Sequence, residues 1–229
     1  MYRFLFLDLD DTILDFHRAE RIALSAMLKS YGVEPSDETL ALYHEINIRH
    51  WQMLERGELT RDQVLVQRFQ ELFEKLSVSC DAESAAKRYE HNLGIGHYFL
   101  PGAEEAMKHL ASRYRLFLAS NGTASVQDSR MKSAGLYPYF EKVFISEQVG
   151  YNKPSKEYFD ACFAQILGFR KPEALMVGDS LTSDILGANR AGIASCWVNP
   201  RKEPRREDIH VDYEIEKLAD LEDLLDRLG

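Results

Sequence analysis

Between residues 98 and 229, short apolar runs alternate with helix-period segments, and few folds satisfy that alternation. The runs Arg115–Ser120 (RLFLAS), Lys142–Glu147 (KVFISE), Ala174–Asp179 (ALMVGD) and Ala194–Asn199 (ASCWVN) have the length and β-branched or aromatic content of buried strands. Glycines at Gly135, Gly168 and Gly192 stand where the residue just past a helix end is expected. Near the C-terminus, Asp220 is placed to cap a helix whose Leu221, Leu224, Leu225 and Leu228 repeat at i, i+3, i+4 and i+7. Strands and helices alternating in this way predict an α/β, Rossmann-like parallel sheet with helices on both faces.

A first strand, Tyr2–Leu9, stands apart from the others, because residues 16–97 show helix patterns and no convincing strand. Glu38–Glu55 and Asp81–Leu93 read as helices. Thr60-Arg61-Asp62-Gln63 fits a capping box, opening a helix with Val64, Phe69, Leu72, Phe73 and Leu76 for a buried face. Pro101-Gly102 restarts the alternation. The expected organisation is a core of residues 1–15 and 98–229 interrupted by an all-helical insert of residues 16–97, hinged at two crossings.

The formal charge of −9 argues against a partner such as nucleic acid, which demands a basic face. No apolar run approaches a membrane span, and Phe4–Leu7 meets Asp8 too early for a signal-peptide core. Cys80, Cys162 and Cys196 are scattered and read as buried small hydrophobes in a reducing, cytoplasmic setting. No histidine has the look of a metal ligand, and Arg201, Lys202, Arg205 and Arg206 read as a solvated loop.

In open parallel sheets, ligands bind beyond the carboxyl ends of the strands. The first strand ends in Asp8-Leu9-Asp10-Asp11-Thr12, and the second in Ser120-Asn121-Gly122. A loop after the third carries Lys153-Pro154, and the fourth ends in Gly178-Asp179 with Asp184 five positions on. Each has a bland reading as turn chemistry, a solvated lysine or a helix N-terminal charge. Together they converge on one sheet edge. Asp8, Asp10, Asp179 and Asp184 would gather four negative charges there. Two like charges about 4 Å apart repel by roughly 4 kcal/mol at an effective dielectric of 20, so the edge needs a cation. Carboxylates without thiol or imidazole partners suit a hard ion, magnesium by default. With Lys153 added, a phosphate group can enter against the lysine ammonium, the Ser120 hydroxyl and backbone N–H groups near Asn121-Gly122.

These four motifs, in this order, resemble those of the haloacid dehalogenase superfamily of phosphohydrolases. The stretches Ser120-Asn121-Gly122, Gly178 to Asp184 (GDSLTSD) and Cys196-Trp197-Val198-Asn199 are similar to its pyrimidine-type 5′-nucleotidase branch. Two departures are a serine at Ser120, where threonine is frequent, and Ser155-Lys156 after Lys153-Pro154. The resemblance implies a magnesium-dependent phosphomonoesterase with a helical cap formed by the insert. It implies Asp8 as nucleophile and Asp10 as acid/base. Magnesium is then held by Asp8, the Asp10 main-chain carbonyl and Asp179, and phosphate by Ser120, Asn121 and Lys153. Asp184 acts on bound water or orients Lys153. The implied partner is a small phosphomonoester, a pyrimidine nucleoside 5′-monophosphate first.

Two other classes stay open at this stage: a sugar-phosphate phosphatase or phosphomutase on the same scaffold, and a phospho-accepting receiver module. Against the receiver stand a nucleophile on the first strand and a large insert with no role in it. Within the insert, Tyr43, His50, Trp51 and Arg68 either face substrate or form core. Phe16 and His17, near the hinge, are better placed to meet a leaving group.

Overall fold

The computed structural model describes residues 1–228. Six strands, β1 (Phe4–Leu7), β2 (Arg115–Ser120), β3 (Lys142–Ile145), β4 (Ala174–Gly178), β5 (Ala194–Val198) and β6 (Tyr213–Ile215), form one sheet. Their order is β3-β2-β1-β4-β5-β6, and every pairing is parallel. The helices of the first half are α1 (Phe16–Ser30), α2 (Asp37–Glu55), α3 (Arg61–Leu76) and α4 (Ala82–Leu93). Those of the second are α5 (Ala103–Arg113), α6 (Ala124–Ser133), α7 (Ser146–Val149), α8 (Lys156–Phe163), α9 (Leu186–Ala191) and α10 (Leu221–Leu228). Two compact units result, one of residues 1–16 and 97–229, the other of residues 17–96.

In the sheet unit, every residue of β1 is buried, and alternate side chains serve opposite faces. Leu5 and Leu7 join Leu116, Leu118, Leu175 and Val177 on one side. Phe4 and Phe6 join Phe117, Phe144 and Met176 on the other. Each such side chain contributes about 1.5–3 kcal/mol on burial. Leu7 pairs with Leu118 of β2 and Val177 of β4, so the carboxyl ends of three strands lie side by side. Strand order reverses at β1, the topological switch point where such sheets form a crevice.

Several details depart from the sequence reading, each for a local reason. β3 stops at Ile145 because Ser146 opens the short helix α7. Helix α8 ends at Phe163, so Gly168 (φ 70°) belongs to a later turn and is not its C-terminal stop. The Asp220 carboxylate accepts the Lys217 N–H (3.1 Å) and closes the turn before α10, so it does not cap α10. Strand β6 has three residues, too few for its pattern to register in a charged segment. Cys162 and Cys196 are buried, while Cys80 is only partly so.

The helical unit is built from local signals. Ser36 accepts the Thr39 N–H (3.2 Å) at the start of α2, and Asp81 accepts the Ser84 N–H (3.0 Å) at the start of α4. Thr60 and Gln63 form the reciprocal box at α3. Such caps contribute about 1 kcal/mol each. Tyr43, Phe69 and Tyr89 pack with ring centroids 5.1–5.5 Å apart at the unit's centre. Among the described residues, no helix is long and apolar enough to cross a membrane.

Candidate active site

The chain leaves β1 through a tight turn. The Asp8 N–H continues the ladder to Val177 O (2.9 Å), and the Ile13 and Leu14 N–H groups both donate to Leu9 O (3.0 and 2.9 Å). Asp11 adopts φ 55°, a left-handed conformation that aspartate tolerates, and its carboxylate accepts the Phe16 N–H (2.9 Å) that begins α1.

Lys153 organises the site. Its Nζ donates to Asp8 Oδ1, Asp184 Oδ1 and Ala119 O, each at 2.6 Å, so all three ammonium protons are used. The residue is 1% exposed, which only this complete pairing makes tolerable. Asn121 braces its backbone from both sides: Oδ1 accepts the Lys153 N–H (2.9 Å) and Nδ2 donates to Lys153 O (2.9 Å). The amide also donates to Ser183 Oγ (3.2 Å). The Asn121 side chain is thus committed to the Lys153 backbone and Ser183, so the backbone contact with phosphate expected near Asn121-Gly122 does not draw on it.

Asp184 does not sit on a regular helix. Ser180 O accepts both the Asp184 N–H (2.9 Å) and the Ile185 N–H (3.2 Å) in a widened π-type turn preceding α9. That turn directs the carboxylate inward, where Oδ2 accepts the Ser180 N–H (3.1 Å). Gly178 makes room for it: a Cβ there would lie 2.1 Å from Asp184 Oδ2. The buried Trp197 indole donates to Asp179 O (2.7 Å), fixing the backbone that carries the third carboxylate.

Asp8, Asp179 and Asp184 each offer an oxygen within 4.8 Å of the others. Burial, opposed by Lys153 but reinforced by Asp184 and Asp10, pushes Asp8 up to about 7. Burial and then Asp8 and Asp184 raise Asp179 well above the carboxylate range. For Lys153, burial works against the charge, but Asp184 and Asp8 outweigh it and its pKa rises. Three carboxylates therefore face one ammonium. An all-oxygen donor set short of positive charge fits a hard divalent cation.

The expected cluster of four carboxylates resolves into three plus one. The Asp10 side chain turns elsewhere: Oδ1 pairs with Arg130 Nη1 and Oδ2 accepts from Gln127 Nε2 (2.7 Å). The Asp10 carboxylate is thus committed to partners on α6. Ser120 Oγ accepts from Gln127 Nε2 (2.9 Å) and the Gly122 N–H (3.1 Å). Gln127 and Arg130 were not legible as site residues. Their signal lay in α6, whose buried face is Val126, Gln127, Arg130 and Met131, half of it polar.

In the helical unit, Tyr43, His50 and Arg68 are buried core and Trp51 is partly exposed beneath Arg61. The unit also groups His17, Glu20 and His44, which sequence spacing did not suggest. Glu20 is buried, its Oε2 bonded to His44 Nδ1 (2.7 Å) and its Oε1 to Asn47 Nδ2 (2.8 Å). Arg201, Lys202, Arg205 and Arg206 are exposed.

Comparison with known proteins matches residues 5–198 to the haloacid dehalogenase-like hydrolase family model. Pyrimidine 5′-nucleotidase PynA of Streptococcus pneumoniae is 38% identical over 99% of this chain and 96% of its own. Pyrimidine 5′-nucleotidase YjjG of Escherichia coli is 31% identical over 96% of each. YfnB of Bacillus subtilis is 37% identical over 98% of this chain and 95% of its own. A crystal structure of YfnB, described as bound to magnesium and revealing interdomain movement, superposes with a TM-score of 0.94 over 98% of both chains. The chain belongs to the haloacid dehalogenase-like hydrolase family.

Proposed function

We propose that this hydrolase is a magnesium-dependent phosphomonoesterase that forms an aspartyl-phosphate on Asp8 and acts on pyrimidine nucleoside 5′-monophosphates. The observation that carries the chemistry is the buried lysine shared by Asp8 and Asp184 beside Asp179. Asp8, Asp179 and the Asp10 carbonyl would hold magnesium, with Asp184 adjacent. Bound there, the ion supplies charge neutralisation and Lewis acidity toward a phosphoryl oxygen.

The chain's own groups do the rest. The Ser120 hydroxyl donates to a phosphoryl oxygen. Lys153, its three protons held by Asp8, Asp184 and Ala119 O, contributes its positive charge beside the phosphoryl group. An Asp8 oxygen attacks phosphorus as the bond to the leaving oxygen breaks, and a proton on Asp10 passes to that oxygen. Water then attacks the phosphorus of the acyl phosphate, yielding its proton to Asp10, and the Asp8 carboxylate is restored with release of inorganic phosphate. These groups meet only a phosphoryl group and a metal, so the leaving group must be selected elsewhere. We assign that selection to the helical unit, as the cap. The nucleotide preference is supported by the two pyrimidine 5′-nucleotidases to which the chain is similar over nearly its whole length.

Phosphate release over a panel of nucleoside monophosphates and sugar phosphates, with magnesium or with chelator, tests both parts. UMP, dUMP or dTMP should give the highest kcat/KM, and chelator should abolish turnover. A hexose or pentose phosphate above every pyrimidine nucleotide would reject the nucleotidase assignment alone. Full activity in excess chelator would reject the metal.

A further inference from the structure

We propose that Gln127 and Arg130, three positions apart on α6, are positioning residues that set the Asp10 carboxyl and the Ser120 hydroxyl together. The inference rests on the phosphatase reading above and deepens it. Arg130 Nη1 donates to Asp10 Oδ1 and to Gln127 Oε1 (3.0 Å). Gln127 Nε2 donates to Asp10 Oδ2 (2.7 Å) and Ser120 Oγ (2.9 Å). A guanidinium only donates, so Gln127 Oε1 must face Arg130 and Nε2 must face Asp10 and Ser120: the amide has a single satisfactory orientation. Both its N–H bonds are committed, one to the acid/base and one to the phosphate-binding serine.

The consequence for Ser120 follows from counting. Its two lone pairs take Gln127 Nε2 and the Gly122 N–H, which leaves the hydroxyl proton to be donated. A phosphoryl oxygen needs that proton. A single side-chain amide thus holds the hydroxyl in its donor state and anchors the carboxyl that serves the leaving oxygen.

Packing alone does not call for such residues. Arg130 and Gln127 are 0% and 1% exposed, and a buried guanidinium carries a desolvation penalty that apolar residues on the same face would avoid. Positioning does call for them, because reacting groups displaced by about 1 Å lose on the order of 100-fold in rate. Gly122 completes the device. It lies outside the left-handed region, so its backbone does not demand glycine, yet a Cβ there would come within 2.3 Å of Gln127 Nε2 and 2.7 Å of its Cδ. The glycine reserves the space that the amide occupies.

The test compares two esters: the best alkyl phosphomonoester of the panel, whose alkoxide needs a proton to leave, and p-nitrophenyl phosphate, whose phenolate does not. Values of kcat/KM for both, with Tm, are measured for Gly122→Ala, Gln127→Leu and Arg130→Met. The alkyl-to-aryl ratio should fall about tenfold or more in each, since acid assistance is worth roughly 10²–10⁴-fold and only the alkyl ester draws on it. Gly122→Ala decides the matter if Arg130→Met does not fold, because it removes no atom and no charge. A ratio within twofold of wild type in folded Gly122→Ala and Gln127→Leu overturns the clamp while the phosphatase assignment stands. Wild-type protein that releases phosphate from neither ester overturns the phosphatase reading, and the clamp falls with it.

Discussion

The two units bury charge in opposite ways. In the helical unit, Glu20 is met by His44 and Asn47, and Asn47 Oδ1 accepts from Arg68 Nη1 (2.9 Å). Arg68 lies 5.2 and 5.0 Å from the ring centres of Phe69 and Tyr89. One buried carboxylate is offset by one buried guanidinium through a shared amide, so charge balances within the network. In the sheet unit, Asp8 and Asp184 share the single ammonium of Lys153, with the Asp179 carboxylate beside them. That set carries one positive charge against three carboxylates, two of which burial and mutual repulsion push upward. A closed network rigidifies a core, whereas a deficient one stores affinity for something from solution.

The largest expected difference is between activity and stability. Asp8→Asn should lower kcat by about 10⁴-fold or more, as loss of a nucleophile does in other covalent mechanisms. Asp179→Asn should raise the Tm of the metal-free protein at pH 8, because it removes one charge from a set that burial and repulsion already disfavour. Thermal melts in chelator check this. A fall in Tm for Asp179→Asn would break the contrast, marking the carboxylates as structural.

The helical unit should respond the other way. Asn47→Leu leaves Glu20 Oε1 and Arg68 Nη1 without their shared amide, at about 1–3 kcal/mol for each buried group. Denaturant melts should show a loss of roughly 2–6 kcal/mol in the absence of metal, and magnesium should not reverse it. Unchanged stability would mean that water closes the network as well as Asn47 does.

How much of this was visible beforehand follows the same division. Strand ends are marked where an apolar run meets a polar residue, so Asp8, Ser120 and Asp179 could be placed at one edge from their neighbours alone. Lys153 and Asp184 were placed by chain order, but not the hydrogen bonds that join them, which span 31 residues. Side-chain direction was not legible. Asn121 stands beside Ser120 in sequence yet serves the Lys153 backbone. Arg130 reads as one more charge on a polar helix until α6 is docked and that face proves buried. The His17, Glu20 and His44 group depends on how α1 meets α2, which periodicity does not encode.

The smallest expected effect separates the two kinds of network by pH. Asp8 has its pKa raised from an ordinary 3.8 to about 7, so the folded, metal-free protein holds that proton more tightly than the unfolded chain does. Stability linked to it is present in acid and is lost as pH rises from about 4 through about 7, on the order of 2–4 kcal/mol in total. A divalent cation binds the carboxylate form, so it should restore what the rising pH removes. The gain in Tm from saturating magnesium should therefore grow between pH 5 and pH 8. Groups elsewhere in the chain contribute equally to wild type and to Asp8→Asn and cancel in the difference. Wild type minus Asp8→Asn, each with and without magnesium, isolates the Asp8 component. A magnesium gain that stays flat from pH 5 to pH 8 in that difference would show that Lys153 alone already neutralises Asp8, and the sheet unit's network would then be as closed as the helical one.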